Sequence, residues 1–65
     1  MKLLITVHYE TYSGYYGAWW QSKRQFIRRR TLTHNGAQRM IRTGVDDQFP
    51  VPDARVTRIE AIGMR

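Results

Sequence analysis

The chain has no cysteine, so no disulfide or cysteine-bound metal can hold it together. It has two histidines, His8 and His34, too far apart in sequence to make a short metal-binding spacing. No apolar run approaches the roughly 18 residues that a membrane span needs. The opening Met1-Lys2-Leu3-Leu4-Ile5 is basic then apolar, but Thr6 and His8 interrupt it before a signal-peptide core can form. No repeat, linker or low-complexity tract is present. From Thr11 to Val45 there is no acidic residue at all. These absences point to a small cytoplasmic domain whose core comes from packing alone.

What is present is short and basic. Sixty-five residues make one domain, 1–65. A chain of that length buries only about 60% of the surface it exposes when unfolded. The formal net charge is +6. Its distribution is uneven. The acid-free stretch holds Lys23, Arg24, Arg28, Arg29, Arg30, Arg39 and Arg42, while Glu10, Asp46, Asp47, Asp53 and Glu60 all lie outside it. Cations without local neutralisation repel one another, and a polyanion relieves that repulsion while releasing its own counterions. Six of the seven are arginine, which favours bidentate phosphate contacts and stacking.

Lys2–Glu10 reads as a strand, with Leu3, Ile5, Val7 and Tyr9 on its core face. Residues 11–17 carry two glycines and a serine and read as a connection. Residues 18–30 are ambiguous. Helical spacing gathers Tyr16, Trp19, Trp20, Lys23, Phe26, Ile27 and Arg30 on one face. A strand is favoured here because a Gly-containing loop after a strand suits a hairpin and because two strands alone make a marginal sheet. Thr33 is the expected N-cap of a helix, with Ala37, Met40 and Ile41 as its apolar stripe and Gly44 as its stop. Val45–Asp53 reads as a loop. In the last strand, Arg55–Ile62, alternation puts Thr57, Ile59 and Ala61 on one face and Val56, Arg58, Glu60 and Ile62 on the other. Gly63-Met64-Arg65 reads as a frayed tail. The expected fold class is α+β, a three-stranded antiparallel sheet with one covering helix in the order β-β-α-β; the alternative is β-α-α-β. The expected core is Leu3, Ile5, Val7, Phe26, Ala37, Met40, Ile41 and Ile59, with Trp20 and Ile27 also assigned inside.

Catalytic chemistry finds little to build on. No Ser-His-Asp set can be named, and Gly14-Tyr15-Tyr16-Gly17 lacks the lysine and helix signature of a phosphate loop. Asp46-Asp47 reads as a pair balancing nearby arginines or capping a turn. No enzyme activity, cofactor or metal is expected. The aromatics are more informative. Tyr12, Tyr15, Tyr16, Trp19 and Trp20 fall within nine positions, and Lys23 and Arg24 follow. Aromatic rings beside a basic groove are the parts of a single-strand stacking platform.

The stretch from Arg28 to Ile62, with its Thr-capped helix and closing Arg-Val-Thr-Arg-Ile-Glu-Ala-Ile strand, resembles small phage-encoded proteins, including some anti-CRISPR proteins. The likeness is one of layout and covers about half the chain. It implies a phage or mobile-element origin and a non-enzymatic inhibitor that binds a host nucleoprotein effector. Many such inhibitors are acidic nucleic-acid mimics. The charge of this chain departs from that pattern and leaves steric blocking, or binding to the nucleic acid itself.

Two functions are therefore expected. One is a small basic binding protein that engages nucleic acid or a nucleoprotein complex. The other is a phage inhibitor that blocks such a complex sterically, with an acidic protein surface as a further expected partner. The expected contact residues are Lys23, Arg24, Arg28, Arg29, Arg30, Arg39 and Arg42, with Tyr15, Tyr16 and Trp19 beside them. An exposed edge strand leaves both monomer and homodimer open.

Overall fold

A computed structural model of the chain describes residues 1–45 and 48–64, so Asp46 and Asp47, and the roles expected of them, lie outside the described residues, as does Arg65. The elements are β1 (Lys2–Ser13), β2 (Ala18–Arg28), α1 (His34–Thr43) and β3 (Arg55–Met64). The strands form one antiparallel sheet in the order β2-β1-β3. This is the expected β-β-α-β layout. Among the described residues no helix is long and apolar enough to cross a membrane.

The ambiguous segment is a strand as far as Arg28, and its last two residues, Arg29 and Arg30, lie in a bend beyond it. It pairs with β1 without interruption from Ser13↔Ala18 to Leu3↔Arg28. That ladder gives β2 a hydrogen-bonding neighbour along its whole length, and Tyr12↔Trp19 and Ile5↔Phe26 become cross-strand pairs. The helical stripe of the sequence is divided between the two sheet faces. β1 is longer than its alternation indicates, because Thr11, Tyr12 and Ser13 stay in the ladder. The turn is thereby reduced to Gly14-Tyr15-Tyr16-Gly17, closed by Gly17 at φ 62°. β3 also runs further, so Gly63 and Met64 are paired strand residues opposite Leu3 and Lys2 instead of a frayed tail.

One face of the sheet carries the helix. Ile5, Val7 and Tyr9 of β1, Phe26 of β2, Ala37 and Ile41 of α1, and Ala54 and Val56 form the buried core. Leu3, Met40 and Ile59 pack against it partly buried. Val56 corrects simple alternation. The register shifts between His8 and Tyr9, so Arg58 pairs with His8 and Val56 with Tyr9. Thr57 is the extra residue of a bulge, its hydroxyl donating to the His8 carbonyl at 3.2 Å. The bulge places Val56 on the same face as Ile59. Trp20 and Ile27 correct a second expectation, being 51% and 50% exposed. Ile27 pairs with Leu4 on the uncovered face, and Trp20 pairs with Thr11 beyond the third strand.

The helix begins and ends by local chemistry. The Thr33 hydroxyl accepts from the Gly36 N–H at 3.0 Å, and Leu32 before it packs on the core. A side chain at position 36 would start 3.0 Å from that hydroxyl, so the glycine leaves room for the cap. Gly44 sits at φ 78°, and its N–H donates to the Met40 carbonyl at 2.9 Å. A Cβ there would meet the Gln48 carbonyl at 2.7 Å, which reserves the position for glycine. The chain then returns over the helix end, where the Val51 N–H donates to the Ile41 carbonyl at 2.9 Å.

Candidate nucleic-acid interface

The segregation of charge along the sequence becomes a segregation in space. The described acids belong to β1, β3 and the loop before β3. Glu10 pairs with Arg55 at 2.6 Å. Glu60 pairs with Arg58 at 2.7 Å and lies 3.3 Å from the His8 ring. These two strands and their loop therefore nearly neutralise themselves. The acid-free stretch supplies the outer edge strand β2, the loop after it and the helix.

Arg24 and Arg28 project from the helix-side face of β2. Their guanidinium carbons lie 5.7 Å from the Tyr9 ring and 5.5 Å from the Phe26 ring. Stacking fixes both groups at the rim of the core. The Arg24 Nη1 is buried without a hydrogen-bond partner. Lys23 projects from the opposite, uncovered face, across from His8. Arg29 and Arg30 are exposed in the bend that follows β2. On α1, the His34 ring lies 3.0 Å from the Val56 carbonyl, and Gln38 Oε1 accepts from the Val56 N–H at 3.4 Å. That line of the helix faces β3, so Arg39, one residue on, is turned outward and exposed. Arg42 continues the β3 line. Its Nε donates to the Ala54 carbonyl at 2.9 Å, and its charge acts on Asp53. Arg42 is thus set apart from the β2 group.

The aromatics are not beside Arg28, Arg29 and Arg30. Ten ladder positions separate the Leu3↔Arg28 and Ser13↔Ala18 pairs, about 33 Å at strand rise. The molecule is correspondingly long, 42 × 18 × 18 Å. β3 stops pairing at Glu10↔Arg55, and beyond it β1 and β2 continue as a two-stranded arm. Tyr15 and Tyr16 form its tip. Trp19 lies on the uncovered face, edge-on to Tyr12 at 5.5 Å, with the Arg55 guanidinium stacked 3.8 Å from its centroid. Trp20 lies on the other face, 5.3 Å from Tyr16.

Arg55 is a member of this surface that the sequence does not single out, and Tyr12, legible there only as one of the clustered aromatics, joins it as the ring neighbour of Trp19. Arg55 meets Trp19 only through the pairing of β1 with both neighbours, a register that no local spacing reveals.

The arm is tied down at its base by Asp53. Its carboxylate accepts from the Thr11 hydroxyl at 2.9 Å and the Tyr12 N–H at 3.1 Å, where β3 no longer supplies a partner. The Thr11 hydroxyl first, then the Tyr12 N–H, hold this carboxyl below its ordinary value of 3.8. A lowered folded-state value stabilises the arm base above the ordinary value, and that stability is lost as pH falls through the lower one. In an NMR titration, the Tyr12 amide resonance should therefore move only below the ordinary carboxylate range. In Asp53→Asn that step should be missing. A Tyr12 resonance that titrates alike in both proteins would contradict the clamp.

Among the described residues no three of His, Asp and Glu gather into a set that could hold a metal ion. No protein-family model matches the chain, and neither a curated protein nor a solved structure is significantly similar to it.

Proposed function

We propose that this chain is a non-enzymatic basic binding protein of the cytoplasm that engages nucleic acid, free or held in a nucleoprotein complex. The observation that carries the reading is the one-sided charge. Lys23, Arg24, Arg28, Arg29, Arg30 and Arg39 belong to an edge strand, its loop and the outer helix surface, whereas the ion pairs Glu10–Arg55 and Glu60–Arg58 occupy the other two strands. Such a surface attracts a polyanion from any approach along that side. Contacts made by charge and stacking favour backbone-directed binding with little sequence preference.

The aromatic arm favours a second reading, a phage inhibitor that docks on a nucleoprotein effector and blocks it. Tyr, Trp and Arg dominate the energy of protein interfaces. Anisotropy of a short labelled oligonucleotide at low and moderate salt separates the two. Binding that salt loosens supports direct engagement of nucleic acid. No binding even at low salt overturns it and leaves the protein-docking reading.

A further inference from the structure

We infer, on the basis of that nucleic-acid reading, that the ligand is single-stranded, with its phosphates along β2 and the following loop and its bases on the aromatic arm. Charge alone does not distinguish a single strand from a duplex, since both carry phosphates. The arm does. Tyr12, Tyr15, Tyr16, Trp19 and Trp20 are all outside the buried core, with exposures from 43% to 89%. In so small a chain, five large rings left out of the core are a substantial apolar surface.

Their mutual geometry leaves ring faces available, apart from the face of Trp19 that the Arg55 guanidinium covers. The pairs Tyr12–Trp19, Tyr15–Tyr16 and Tyr16–Trp20 all meet edge-to-face, at 61°, 80° and 64° between planes. An edge-on contact covers only one face of one ring. Bases in a duplex are stacked on one another and offer no free face. Bases of a single strand do, and stacking on aromatic side chains is how such strands are held without sequence preference.

Position adds the second element. The arm and the cations share one edge strand. Its open edge leads from Tyr15 and Tyr16 at the tip, between Lys23 on one face and Arg24 on the other, to Arg28, Arg29 and Arg30, over about 33 Å of strand. A linear polyanion lying along the β2 edge meets stacking groups at one end and cations at the other. A cross-strand aromatic pair also stiffens a two-stranded arm, which accounts for Tyr12–Trp19, and Tyr16 packing from the turn onto Trp20 serves the same end. Stiffening does not account for Tyr15, which is 89% exposed at the turn and whose ring partner among the described residues is Tyr16.

Both tryptophans of the chain are in the arm, so intrinsic emission reports directly on it. The test is a titration with oligothymidylate, with a duplex of equal length, and with inorganic polyphosphate, which has the charge but no bases. Oligothymidylate should quench tryptophan emission, and polyphosphate should bind without quenching. Tyr15→Ala should weaken oligothymidylate binding about tenfold while changing duplex affinity less than twofold. Equal affinity for single strand and duplex, with no quenching and no effect of Tyr15→Ala, would overturn the inference while the salt-sensitive binding of the proposed function stands. Absence of binding to all three at low salt would overturn both.

Discussion

Ile41→Ala is expected to destabilise the protein by about 2–5 kcal/mol. Ile41 is fully buried, at the centre of the face that α1 turns to the sheet. It lies among Ile5, Val7, Ala37 and Ala54 in a core that has few members. Its carbonyl also receives the Val51 N–H, so the site joins the helix to the returning loop. Removing the side chain leaves a cavity that the glycine-fixed helix end and the rigid Pro50-Val51-Pro52 segment are poorly able to fill. A chain of 65 residues is expected to have only about 3–10 kcal/mol of total stability. The substitution should therefore bring the protein close to unfolding at room temperature. Urea denaturation followed by circular dichroism checks this. A loss below about 0.5 kcal/mol would mean that the helix does not pack on the sheet in this way.

The largest functional effect is expected from Arg29→Glu combined with Arg30→Glu. Both residues are exposed in the bend after β2 and belong to neither the core nor the ladder. They differ in this from Arg24 and Arg28, whose guanidinium groups lie over Tyr9 and Phe26 and whose replacement would disturb packing as well as charge. The double reversal changes four units of charge at one end of the β2 surface without a structural cost. Affinity for an oligonucleotide should fall about a hundredfold at moderate salt, leaving binding measurable at low salt. The circular dichroism spectrum and the urea midpoint should be unchanged. A doubly reversed protein that binds as before would reduce the acid-free stretch to a solvated face.

Much of the fold can be read from particular residues. The alternation Leu3, Ile5, Val7, Tyr9 marks β1 and its buried face. Thr33 and Gly44 mark the two ends of the helix, because the capping hydroxyl and the positive φ are local requirements. Residues 18–30 are harder. Their apolar spacing fits a helix, and only the pairing available from β1 makes them a strand, a tertiary effect that periodicity does not contain. The bulge at Thr57 is invisible for the same reason, and it moves Val56 from the expected outer face into the core. Trp20 and Ile27 are apolar, yet exposed, because the helix covers neither the arm nor the far face of the sheet.

The candidate site divides in the same way. That Lys23 to Arg42 is unusually basic is plain in the sequence. How it is distributed is not. Arg42 turns to Ala54 and Asp53, Lys23 and Arg24 take opposite sheet faces, and the aromatics stand at the far end of the strand. Proximity in sequence puts Trp19 near Arg24, and strand rise then carries the ring well away from Arg28 and its loop.

Direct engagement of a polyanion by the β2 surface is tested most directly by the salt dependence of oligonucleotide binding, compared between the native protein and the Arg29→Glu, Arg30→Glu variant. With about four phosphates contacted on a single strand, the native slope of log affinity against log salt should be about −3. Loss of two contacts should make the variant's slope shallower by about 1.4. A native slope near zero, or the same slope in both proteins, would contradict the account.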